Sequence, residues 1–154
     1  MGEVRPGPAH ERLGVLVGEW VGEEEFAATP WAPAGTARSR HSLRSGVGGL
    51  AVVHDYEQAR GGGDPFLGHG FFTVDPGTGE VVWFFLDSTG FPPDTPLRGD
   101  WDGEGVLRLA KTTPRGQARH VFRFHGDAFE HEIDVRLGDA AAFSPFARGR
   151  FHRV

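Results

Sequence analysis

Apolar and polar residues alternate with a period of two through most of this chain, and glycine and proline break the alternation at short intervals. Such a pattern predicts short half-buried strands joined by tight turns. The exception comes first. Leu13, Leu16, Val17 and Trp20 recur at helical spacing behind Pro8, a residue suited to a first helical turn, and the pattern stops at Gly18. From Trp20 the period becomes two, with Trp20 and Phe26 on one face and Val21, Glu23 and Glu25 on the other. The run Glu23, Glu24, Glu25 reads first as a solvated strand face, with a triple-carboxylate metal site as the lesser alternative. Residues 1–7 read as a flexible tail, and 8–154 as one domain.

Thr29 to Gly35 is too proline-rich for a central strand and is expected as an exposed loop carrying Trp31. A strand over 37–45 sets Ser39, His41 and Leu43 against Arg38, Arg40 and Arg44. The next, over 50–58, sets Leu50, Val52, His54 and Tyr56 against Ala51, Val53, Asp55 and Glu57. The stretch 66–74 leads into Asp75 to Gly79, a turn in which proline presets one backbone angle and glycine supplies the positive one. The returning stretch, Glu80 to Asp87, is apolar on both faces and predicts a strand covered on both sides. Further strands are expected at 98–101, 106–112, 118–126 and 128–137, with a closing one over 146–153. The total of about ten is the spacing of an all-β barrel or sandwich.

Composition narrows the reading. The 154 residues hold 24 glycines, about twice the usual share, and most sit between apolar runs as turn chemistry. A net charge of -5 with scattered basic residues argues against a nucleic-acid partner. No apolar run is long enough for a membrane helix, and the first ten residues hold no signal-like apolar core. There is no cysteine, hence no disulfide framework and no thiolate metal site. A cytoplasmic protein is the expectation, and homo-oligomerisation is left open.

Seven stretches run in order over nearly the whole chain: LGVLVGEWVGEEE, the spacing of Pro30, Pro33 and Gly35, VVHDYEQ, GHGFFTVDPGTGEVVWFFLDSTG, GDWDG, QARHVFRF and RGRFHRV. Together they resemble the DUF1579 family, a calycin-like domain of unknown function. The resemblance implies a single antiparallel calycin or lipocalin-like β-barrel, with the short N-terminal helix plugging one end and Trp20 packed beneath it. It implies no activity. The chain departs from the family pattern at His152, where tyrosine is expected.

If the predicted strands line a barrel, several candidate chemistries follow. His41, His54, His69 and His131 each share a strand face with apolar residues, and converging imidazoles would offer a divalent-metal site. No pair of them has a short ligand spacing, so convergence depends on strand register. The pairs Glu132 with Asp134 and Asp55 with Glu57 alternate with apolar residues and are expected in solvent, so neither predicts acid–base catalysis. No phosphate loop, nucleophile elbow or HExxH motif is present. The first functional expectation is therefore non-enzymatic binding of a small, mostly apolar molecule in the lumen, lined by His54, Tyr56, His69, Phe71, Trp83, Phe85 and His131. The second follows from a similarity of LVGEWVGEEEF to nitrobindins. It implies haem, with redox or isomerase chemistry, held by His152 if the last strand turns that residue inward.

Overall fold

The computed structural model describes residues 2–154. A short helix α1 (Pro8–Arg12) runs into a 3-10 turn, Leu13–Leu16, and ten strands follow. They are β1 (Gly18–Phe26), β2 (Gly35–Gly46), β3 (Ala51–Gln58), β4 (Phe66–Val74), β5 (Val81–Asp87), β6 (Leu97–Trp101), β7 (Val106–Thr113), β8 (Gly116–His125), β9 (Ala128–Leu137) and β10 (Ser144–Arg153). Each strand pairs antiparallel with its neighbours in sequence, and β10 returns to pair with β1, so the sheet closes into an up-and-down barrel with no free edge. The expected fold is the observed one.

Closure makes parity decisive, because alternate residues of every strand point into the barrel and the rest point out. At one end the interior is a dense apolar plug. Leu13 and Leu16 of the 3-10 turn cap Trp20, which is wholly buried and donates from Nε1 to the Leu16 carbonyl at 2.9 Å. Phe129 and Phe124 meet the indole edge to face at 4.9 and 6.1 Å. From the far end of the chain Arg153 lays its guanidinium 4.1 Å from the centre of the Trp20 ring and donates to the carbonyl of Val17. First strand, last strand and plug are thus held at one point.

The second half of β5 departs from expectation. Val81, Val82 and Trp83 are buried, but Phe84 is only partly covered and Leu86 is exposed, so the strand is covered on both faces only at its start. Its apolar run reflects the outer wall as well as the core.

The inward face of β4 carries Phe72 and Val74 at its plug end but is bare in its middle, where Gly68 and Gly70 occupy it. A Cβ on Gly70 would fall 1.8 Å from the backbone oxygen of Phe84, whereas one on Gly68 would meet the tip of the Phe85 ring at 2.1 Å. A ring can swing aside and a paired backbone cannot. Gly70→Ala is therefore expected to destabilise by about 3 kcal/mol, the upper range for overpacking, and Gly68→Ala by less. Denaturant unfolding of the two variants tests the order, and equal costs would show that the β4–β5 backbone yields.

Candidate functional site

Beyond the plug, the inward positions change character. Glu24 on β1, Ser39 and His41 on β2, His54, Tyr56 and Gln58 on β3, and His131 on β9 are all buried, and His120 on β8 is mostly so. Strand register brings them together. Across β10, Glu24 and His131 flank the same residue, Gly149, in the pairings Glu24 with Gly149 and Gly149 with His131. Gly149 itself puts no side chain between them; a Cβ there would sit 2.6 Å from the edge of the Phe151 ring and 3.0 Å from Cγ of Glu24. On the other side, His41 lies across from Tyr56 in the β2–β3 pairing.

The polar groups form linked sets. Oε2 of Glu24 accepts from Ser39 Oγ at 2.6 Å, from Gln58 Nε2 at 3.2 Å and from the Tyr56 hydroxyl. Nδ1 of His41 lies 2.8 Å from Nε2 of His54, and Nδ1 of His120 lies 2.9 Å from Nε2 of His131. Phe122 stacks on the His131 ring at 4.1 Å, and Phe151 meets His41 edge on at 4.5 Å. The Glu24 carboxylate and one ring nitrogen each of His41 and His131 all lie within 4.8 Å of one another.

Burial sets the electrostatics. All four lumen histidines have pKa values pushed below the ordinary 6.5, chiefly because the charged form loses its water. His54 and His120 fall to about 3, and neighbouring imidazoles depress His41 and His131 further. At neutral pH they are uncharged. Burial and the nearby Glu24 charge raise the Tyr56 hydroxyl, which stays a donor. Lys111 follows Leu107 and Leu109 on the inward parity of β7 and is half-buried; desolvation, then Arg115, lower its pKa.

The structure sorts the expected residues. His41, His54, Tyr56, Trp83, Phe85 and His131 share the interior. His69 and Phe71 do not: both are exposed on the outer wall, where His69 pairs with Asp55 at 2.6 Å. The strand Phe66–Val74 carries apolar residues at both parities, so its periodicity is ambiguous. Its pairing with β3, which sets His54 against Gly70 and Asp55 against His69, turns the glycines inward. With Arg40, Leu67 and Leu86, His69 borders an open depression of about 600 Å³ on the outer wall.

Glu24 is a second correction, since it is buried in the barrel and not part of a solvated face. It has the parity of Trp20 and Phe26, a signal that the flanking acids Glu23 and Glu25 obscure. His120, absent from the expected set, shares the parity of Phe122 and Phe124. His152 is exposed, paired across the sheet with Val21 and Ala128, while Phe151 fills the interior. The residues of this strand therefore do not fit the haem arrangement, which needs an inward axial imidazole at that position.

Residues 5–128 match the model of a family described as a protein of unknown function, DUF1579. No curated protein matches the chain. Among solved structures, the crystal structure of Rv2717c from M. tuberculosis is similar, with a TM-score of 0.76 over 97% of this chain and 99% of that one at 17% identity. At that identity the likeness concerns the fold.

Proposed function

This chain belongs to the DUF1579 family, and we propose that its barrel is a carrier or sensor that takes one small, mostly apolar molecule into the unplugged half of the lumen. The observation behind this reading is a set of aromatic walls holding polar atoms with no partner. Nδ1 of His54 and Nε1 of Trp83 are buried without a hydrogen bond, on rings 5.8 Å apart. Leaving a buried polar atom unmet costs about 1–3 kcal/mol, and a guest with a carbonyl or ether oxygen would relieve the cost at the indole N–H. Phe85 lies 5.3 Å from His54 and 5.2 Å from Trp83. It is only partly buried, unlike the rings at the plug, so a guest would cover it. Aromatic lining with a few polar groups to set orientation is how small-molecule sites are commonly built. Tyr56 and His131 complete the lining.

Native mass spectrometry of protein from its own cells, followed by titration with an apolar ligand panel, tests the reading. One guest per chain is expected, and Trp83→Phe should weaken its binding about tenfold, the equivalent of one modest hydrogen bond. No co-purifying species and no saturable binding across the panel would remove it.

A further inference from the structure

We propose that Glu24, His41 and His131 are the protein ligands of a divalent transition-metal ion, zinc in the first instance, held inside the barrel. The site rests on their convergence within 4.8 Å and on what each has left to offer. His41 commits Nδ1 to His54, and its Nε2 is buried with no partner although the residue is only 3% exposed. His131 commits Nε2 to His120, and its Nδ1 makes no hydrogen bond among the described residues. All three donors to Glu24 converge on Oε2, which leaves Oε1 without one among the described residues.

Charge points the same way. Glu24 is 4% exposed and takes part in none of the ion pairs among the described residues. Buried carboxylates are ordinarily paired with a cation or bound to a metal. Two imidazoles and a carboxylate suit zinc, and three protein ligands leave a position for water or a bound molecule.

The outer groups have the form such sites need. A ligating histidine commonly gives its second nitrogen to a partner that fixes the ring and its tautomer, and a ligating carboxylate is itself hydrogen-bonded. His54 stands behind His41, His120 behind His131, and Ser39, Tyr56 and Gln58 behind Glu24. If His41 donates from Nδ1 to His54, its buried Nε2 keeps a free lone pair for an ion. Gly149, paired with both Glu24 and His131, adds no side chain of its own between them. The proposal is independent of the guest reading, because the ion alone is the probe.

The test uses the full chain without a polyhistidine tag, stripped with chelator and titrated with Zn²⁺ by calorimetry and with Co²⁺ by visible absorption. One ion per chain is expected, and bound Co²⁺ should show the ligand-field bands of a low-coordinate N/O site. His41→Ala should abolish this binding. Glu24→Gln, which keeps the shape and so guards against misfolding, should weaken it at least 100-fold. His54→Ala, which removes only a positioning residue, should weaken it 10- to 100-fold. His69→Ala, on the outer wall, should change nothing. Near-UV circular dichroism verifies that each variant is folded. The proposal is overturned if stripped protein takes up no stoichiometric ion, or if uptake survives both Glu24→Gln and His41→Ala.

Discussion

Acidifying the chelator-treated protein from pH 7 to pH 5 is expected to cost several kcal/mol of stability and to unfold it while most surface carboxylates are still ionised. His41, His54, His120 and His131 are held neutral in the folded state, two of them with pKa values of about 3. In the unfolded chain they titrate near 6.5. Below that value the unfolded state binds more protons than the folded one, so stability falls with falling pH. The loss begins near pH 6.5 and continues towards pH 3; above 6.5 these groups contribute no slope. Each histidine contributes up to about 1.4 kcal/mol per pH unit in that window, against a total domain stability of about 5–15 kcal/mol. The measurement is urea unfolding at pH 7.5, 6.5, 5.5 and 5.0. His120→Phe should flatten the slope. Stability that does not change between pH 7 and pH 5 would mean that the lumen histidines accept protons in place.

Trp20→Ala is expected to destabilise the protein by about 3–5 kcal/mol, the range for truncating a large core aromatic. The indole is the contact on which three parts of the chain meet: the 3-10 turn through Leu16, β9 through Phe129, and β10 through Arg153. Truncation opens a cavity at the barrel floor and leaves the Leu16 carbonyl without its donor. Trp20→Phe separates the two effects, since it keeps most of the apolar contact and should cost about 1–2 kcal/mol. Denaturant midpoints of the two variants report the difference. A loss below about 1 kcal/mol for the alanine variant would mean that the plug closes without the indole.

The unequal legibility of fold and site comes down to parity. The strand over 128–137 alternates without ambiguity, and both its ends and its inward His131 were readable. The strand over 66–74 is apolar at both parities, so its periodicity alone places His69 on the wrong face. Glu24 shows the opposite failure. Its parity with Trp20 was visible, but three consecutive carboxylates read as a wet face, because burying a carboxylate is costly unless partners are at hand. Those partners, Ser39, Tyr56 and Gln58, come from two other strands, and nothing local announces them.

The sequence by itself determined the number and order of the strands, the turns and the plug, because these follow from near-neighbour chemistry: period-two alternation, glycine and proline at reversals, and an apolar cluster around Trp20 that has to be buried. Only the tertiary structure decided which side chains share the lumen. Convergence of Glu24, His41 and His131 depends on closure between β1 and β10 and on the register that sets Glu24 and His131 on either side of Gly149. A one-residue slip there would turn the carboxylate out to water. That register is set by the summed packing of ten strands around one core, a long-range property that no single segment of the chain encodes.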